Sequence, residues 1–453
     1  MRRHAIILRL GPKDTAPVEV GADVQVTTEI PFLNNNIPAS GRVTHERLYT
    51  ELSRLGLVAP ERALDVIVLA VAVFAADTRI SRSSDSQDGW TREIDVHVPV
   101  SDPTAWAKLT ELLMETLRFL TGDIWRFRFR PRPKALATIA PKRDRDPSYK
   151  TDTACLFSGG LDSFVGALDL LEAGNRPVLV GHHKSPDVNT PQKGCYQCIE
   201  KAYPSGTPAF LNAYLSVPKE LFSGSEEKTE RGRSFLFLSL GVLVASSLGK
   251  KSRLVVPENG VISLNVPLTP LRLGALSTRT THPYFVQHFQ RIVRNLGLDV
   301  QLENPYQFKT KGEMVSECKD QTILRKCIGQ TMSCAHPTAR RYMGESAKHC
   351  GTCMPCLIRR AAIRAALGKD PTDYAVDVTT EIPAPDSAAG EDVRAFQIAL
   401  TRLKKNPALA ELLIHKSGPI TGDADQWNDF AGVYRRGMQE VSKLLPTGSP
   451  LKS

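Results

Sequence analysis

Short apolar runs and longer periodic stretches alternate along the chain and divide it into three parts. In the first, HAIILRL from His4 and TREIDVHVPV from Thr91 have strand composition, the second with polar and apolar residues in turn. PERALDVIVLAVAVFAA opens at Pro60 and continues as a mostly apolar helix, and TAWAKLTELLMETLRFL from Thr104 has helical periodicity. DIWRFRFRPRPK then sets Trp125, Phe127 and Phe129 on one face of a strand and Arg126, Arg128 and Arg130 on the other. Such a face can grip nucleic acid; a half-buried strand with a solvated face is the commoner use of this pattern.

ALATIAPKRDRDPSYKTD, from Ala135 to Asp152, has the polar, basic and proline-containing character of a linker. From Thr153 strands and helices alternate. TACLF runs into SFVGALDLLEAG, which Gly174 closes as a C-cap. PVLVGHH, a Pro-Gln-Lys-Gly segment with a helix, FLNAYLSV, the apolar helix after Arg233, SRLVVPE, the helix after Pro283 and LDVQLEN follow. This order predicts an α/β fold with a parallel, doubly wound sheet. PAPDSAAGED reads as a loop, and VRAFQIALTRLKK and QWNDFAGVYRRGMQEVSKLL are helical in composition. The expected organisation is an N-terminal α/β accessory domain over 1–145, a central domain over 150–375 and a C-terminal helical extension over 385–453.

A chain of 453 residues exceeds one comfortable core, which supports several domains. The net charge of +10 suits phosphates, nucleic acid or an acidic partner, and equally a solvated basic surface. The most apolar stretch, FLFLSLGVLVASSL from Phe235 to Leu248, is shorter than the roughly 20 residues of a bilayer span. The N-terminus reads as a first strand and not as a signal peptide. These features predict a cytoplasmic protein with no membrane partner and with reduced thiols among its nine cysteines.

The candidate chemistry begins at Ser158. S-G-G-L-D-S stands between a buried strand and an amphipathic helix, where free N–H groups and the positive dipole end make a phosphate site. Gly159 and Gly160 permit close backbone approach, and Ser158 and Ser163 add hydroxyl donors. Asp162 either caps the helix or helps to hold a Mg²⁺ that bridges phosphates. No GxxxxGK[ST] sequence occurs anywhere in the chain. Far downstream Cys334, Cys350, Cys353 and Cys356 follow the pattern C-x₁₅-C-x₂-C-x₂-C, which suits a tetrahedral Zn²⁺. His336 and His349 lie inside the cluster and can replace one thiol, and an Fe–S cluster is the other ligation type with four cysteines. The pair Cys195 and Cys198 has no second pair beside it and reads as structural or incidental.

The Ser158–Ser163 turn resembles the SGGxDS motif of the PP-loop ATP pyrophosphatases. Together with the cysteine cluster, ERGRSFLFLSLGVLVA and NPYQFKTKGEMV, in which Thr310, Lys311 and Glu313 take matching positions, it resembles the QueC-like, 7-cyano-7-deazaguanine synthase family over about residues 150–370. The resemblance implies a sheet of the PP-loop (adenine nucleotide α-hydrolase-like) type with a zinc knuckle. PENGVISLNVPLTPLRLGALSTRTTHPYF replaces the family's substrate segment. That segment and the extra length resemble the QueC-like proteins of bacterial anti-phage operons, the QatC type most of all.

What the resemblance implies for single residues can be stated by number. Ser158, Gly159, Gly160, Leu161, Asp162 and Ser163 would cradle ATP, with Val180, Gly181 and His182 near the adenine and Lys184 within reach of phosphates. Asp162, Arg233 and Lys311 would be catalytic, and Glu258, Asn259, Arg279, Thr280 and His282 would bind the acid or partner. Thr281 and Pro283 also read as a plain helix start. The cofactors implied are ATP, Mg²⁺ and Zn²⁺, and the partners are a 7-deazaguanine-type small molecule and other proteins of a defence operon. The implied reaction adenylates a 7-deazaguanine-type carboxylate and transfers it to an amine. The synthase reaction proper, RNA modification using the basic surface, and a non-catalytic nucleotide-sensing subunit stay open as alternatives, and so does nucleic acid as a partner.

Overall fold

The computed structural model describes residues 2–86, 88–141, 150–183, 186–227, 229–269, 279–336, 348–384 and 387–445. Lys184 and the 270–278 part of the substituted segment lie outside the described residues.

The N-terminal part carries β1 (Arg3–Leu10), β2 (Val26–Phe32), α1 (Glu46–Arg54), α2 (Glu61–Arg79), α3 (Arg82–Asp85), β3 (Glu93–Val100), α4 (Pro103–Ala107), α5 (Thr110–Thr121) and β4 (Ile124–Pro131). Its four strands form a parallel sheet in the order β2-β1-β3-β4. Two features depart from expectation. VTTEIPF forms the edge strand β2, where Pro31 is tolerated because one side of the strand needs no ladder partner. The stretch from Thr104 breaks into α4 and α5, and Asp102 caps the first of these by accepting the Ala105 N–H at 3.0 Å.

On β4, Trp125 and Phe127 stack with ring centroids 6.1 Å apart and point into the core. The arginine face is largely paired: Arg126 donates to Glu93 at 2.9 Å and Arg130 to Asp14 at 2.6 Å. The half-buried strand is therefore the reading that the geometry favours.

α2 is buried from Ala63 to Thr78 on every side, which explains why its sequence is apolar all round. It lies between the first sheet and α8 (Arg233–Ser246), and a single apolar core runs through both into a second sheet. The first residues of the expected linker are tied down, since Ile139 and Ala140 donate their N–H groups to Glu61 of α2 at 3.1 Å, and residues 142–149 lie outside the described residues.

The second sheet is β5 (Thr153–Leu156), β6 (Val178–His182), β7 (Ala209–Ala213), β8 (Ser252–Val255) and β9 (Val300–Glu303), all parallel, in the order β7-β6-β5-β8-β9. The chain leaves β5 in one direction for β6 and β7, and in the other for β8 and β9. The switch point thus falls between the carboxyl ends of β5 and β8, where ligands of such sheets collect. Its connections include α6 (Leu161–Glu172), α7 (Pro186–Ala202), α9 (Gly260–Leu264) and α10 (Pro283–Asn295). α11 (Lys311–Ser316), α12 (Gln321–Cys327) and α13 (Met354–Leu367) follow β9. The C-terminal α14 (Glu391–Lys405), α15 (Leu409–Leu413) and α16 (Ala424–Leu444) share a second apolar core with α9 and α13.

Reduced thiols were the expectation for all nine cysteines, and the structure corrects this at one place. Cys198 of α7 and Cys327 of α12 are joined as a disulfide, whereas Cys195 is a free, buried thiol. No helix among the described residues is long and apolar enough to cross a membrane.

Candidate functional site

The turn after β5 opens at the switch point. Gly159 has φ of +78°, and a Cβ there would lie 2.7 Å from the backbone nitrogen of Gln192 in α7, so only glycine fits. Ser158 Oγ accepts the Gly160 N–H at 3.2 Å and lies 3.2 Å from Ser163 Oγ, which donates to the Gly160 carbonyl at 3.0 Å. Both serine hydroxyls therefore face the start of α6.

One residue further, Asp162 turns inward. Its Oδ1 lies 2.6 Å from Lys311 Nζ, and its Oδ2 accepts Asn259 Nδ2 at 2.6 Å and the Asn259 N–H at 3.1 Å. Asn259 also caps α9 by accepting the Ile262 N–H at 3.1 Å. Glu258, the residue before Asn259, brings a second carboxyl close to Asp162. Four residues from three separate segments thus meet: the turn after β5, the end of β8 and the start of α11.

The charges are unevenly shared. Burial opposes the Asp162 carboxylate, but Lys311 and the donors from Asn259 outweigh it and hold the group below its ordinary value. Burial and the Asp162 charge together push Glu258 well above the carboxylate range. A group with a raised folded value destabilises the fold as pH climbs from its ordinary value of 4.5 toward the raised one. Glu258→Gln, which is uncharged throughout, is expected to remove that fall. Urea unfolding of both proteins from pH 4 to 8 measures the difference, and parallel curves would count against the upward shift of Glu258.

A cavity of about 330 Å³ opens beside this cluster, lined by Ser158, Ser163, Glu230, Arg233, Glu258, Thr280 and apolar residues of α8. The half-buried Arg233 guanidinium lies 3.9 Å from Glu230 and is lowered in pKa by burial. The other residues expected here lie elsewhere. Arg279 stacks on Phe119 of α5 at 4.2 Å and donates to its carbonyl at 2.6 Å. His282 is the N-cap of α10, accepting the Tyr284 N–H at 3.3 Å, and burial lowers its pKa to about 3. Val180 is in the sheet core, Gly181 lies against Phe210 and Gln192, and His182 packs edge-on to Phe74 of α2.

The four cysteines converge. All four sulfurs lie within 4.8 Å of one another, with Cys334–Cys353 at 3.9 Å and Cys350–Cys356 at 3.8 Å. Tetrahedral zinc–thiolate bonds of about 2.3 Å require sulfurs roughly 3.8 Å apart, so the set fits Zn²⁺. N–H groups of His336 and Cys350 donate to Cys334, and that of Cys353 to Cys350, each at 3.3 Å. Neither histidine replaces a thiol: His349 Nε2 accepts the Ser333 N–H at 3.2 Å.

That last bond leads back to the turn. Ser333 Oγ receives the Leu161 N–H at 3.3 Å, and Met332 donates its N–H to the Gly159 carbonyl at 2.9 Å. Nothing in the sequence of Met332 or Ser333 marks this role except their position beside Cys334. The C-terminal helices reach the cluster from the other side. Glu440 of α16 accepts from the Thr310 hydroxyl and from the Gly312 N–H, and Arg436 pairs with Glu313 at 2.5 Å. Thr310 and Glu313 form a capping box over the first turn of α11, which fixes Lys311.

No curated protein matches the chain. The family model of queuosine biosynthesis protein QueC matches residues 280–367, so the stretch that carries α10, β9, Lys311 and the four cysteines is QueC-like.

Proposed function

We propose that this chain is an ATP-dependent enzyme that activates a 7-deazaguanine-type carboxylate and passes it to an amine, in the manner of a QatC-type protein of an anti-phage operon, with the amine on a partner protein. The observation that carries the reading is the Asp162–Lys311–Asn259–Glu258 cluster under the first turn of α6, beside an open cavity at the switch point.

In the first step a carboxylate oxygen of the acid attacks the α-phosphorus of ATP. The bond from that phosphorus to the bridging α–β oxygen breaks, and pyrophosphate leaves. In the second step the amine attacks the acyl carbon, AMP departs with the electron pair of its bond, and the amine loses a proton. Ser158, Ser163 and the N–H groups opening α6 would hold the pyrophosphate oxygens. Lys311 would meet the charge that grows on them, and Arg233 would pair with phosphate or with the acid. Asp162, the ionised carboxylate of the cluster, would help to hold Mg²⁺, which supplies charge neutralisation for the phosphates. Zn²⁺ on Cys334, Cys350, Cys353 and Cys356 would be structural, since four thiolates leave no open position.

Incubation with ATP, the acid and ammonia or a co-expressed operon protein is expected to release AMP and pyrophosphate. Asp162→Ala abolishes turnover and leaves the zinc content unchanged. Release of ADP and phosphate alone would overturn the reading, as would binding of ATP without turnover under every acceptor.

A further inference from the structure

The segment 217–232 that leads into α8 is fastened at both ends to the C-terminal end of α2 in the N-terminal part. Arg79 donates to the Val217 carbonyl at 3.1 and 2.8 Å and pairs with Glu226 at 2.5 Å. The Thr78 carbonyl accepts the Glu227 N–H at 3.1 Å, and Glu227 in turn accepts the Arg82 N–H at 2.9 Å. Arg231 lays its guanidinium 4.4 Å over the ring of Trp90, which Arg82 also covers at 4.7 Å. At the end of the segment the Gly232 N–H donates to Asp77 at 2.7 Å.

Asp77 belongs to a closed set of four buried charges. Arg92 lies 3.1 Å from Asp77 and 2.7 Å from Asp123, and Arg82 lies 3.6 Å from Asp77 and 2.8 Å from Asp123. Both aspartates are fully buried. Burying four ions costs desolvation that their attraction barely offsets, so such a set adds geometry more than stability. Here the set bonds the segment at two places, Arg82 N–H to Glu227 and Asp77 to the N–H of Gly232, the residue before Arg233.

Glu230, Arg233, Ser234 and Phe237, which form one wall of the cavity, all follow from where this segment enters α8. The fit at the junction is close: a Cβ on Gly232 would lie 3.2 Å from Asp77 Cβ and 3.4 Å from Val73 Cγ1.

We infer that the N-terminal part is the positioning element of the cavity, with Asp77 setting the place of Arg233 through Gly232; the inference rests on the reading that the cavity takes ATP. Asp77 touches no substrate and acts as a positioning residue. The test is a double-mutant cycle on the full chain with Mg²⁺–ATP as the probe, read by saturation-transfer NMR, which reaches millimolar Kd. Gly232→Ala is expected to weaken ATP about tenfold, or 1.4 kcal/mol, and to move Tm by no more than about 2 °C. In the Arg233→Ala background the same substitution is expected to change Kd less than twofold. Arg79→Gln, which frees the other end of the segment, is expected to behave alike. Equal losses in both backgrounds, or no loss in either, would overturn the inference and leave the ATP reading standing. Failure of the unsubstituted protein to bind ATP would overturn both.

Discussion

Lys311→Met is expected to lower pyrophosphate release by about 10²–10³-fold, the usual effect of losing one positioned charge donor to a transition state. The substitution also reverses a pH dependence. In the native cluster Asp162 is held below its ordinary value, so its contribution to stability is present above the unfolded pKa and lost as pH falls through the folded one. Without Lys311 the two carboxyls face each other over one proton and the Asp162 value rises. Its contribution is then present below the unfolded pKa and lost as pH rises through the folded one. Breaking a buried pair costs about 3–5 kcal/mol, so the variant is expected to be least stable near neutrality and to recover toward pH 4. Urea unfolding across that range, with product assays at pH 7, gives both readouts. A variant that keeps its turnover would remove Lys311 from the chemistry, and an unchanged pH dependence would remove it from the cluster.

Stripping zinc is expected to have the larger effect on the fold. Structural zinc contributes on the order of 10 kcal/mol, which is comparable with the whole stability of a domain. Cys350→Ser, or chelation of the native protein, should release the 331–334 segment and with it the bonds from Met332 to Gly159 and from Leu161 to Ser333. Hydrogen exchange at residues 157–163 is then expected to quicken while the first sheet keeps its protection. Two results would contradict this: protein made in zinc-containing medium that carries no stoichiometric zinc, or stripped protein whose turn exchanges at the native rate.

The regular parts of the fold could be read from the chain because the strands on either side of the central turn are compact apolar runs bounded by turn residues. Thr153–Leu156 and Val178–His182 are of this kind. Val26–Phe32 escaped because an edge strand buries alternate residues only, and its Thr-Thr-Glu start has no apolar run. Within the site, Asp162 and Lys311 stood out through their local motifs, and the structure brings them to 2.6 Å. Arg279 and His282 sit in an equally suggestive segment, yet one is drawn to Phe119 and the other to the start of α10, because a packed ring and a cap lay nearer than the cavity. Gly232 and Glu440 carry no mark at all, and Ser333 only its place beside Cys334. Their roles depend on contacts with partners about 130 to 170 residues away, which no local pattern encodes.

The placing of α2 has a consequence for the chain as it is made. One long side of this apolar helix waits for α8, which begins about 150 residues later. At roughly 5–20 residues per second of synthesis, that side stays uncovered for about 8–30 s on each ribosome. The first sheet can close during that time, but its outer helix remains an adhesive surface until Arg233–Ser246 arrives. Yield of soluble protein should therefore depend on how fast, and with what protection, the middle of the chain is delivered.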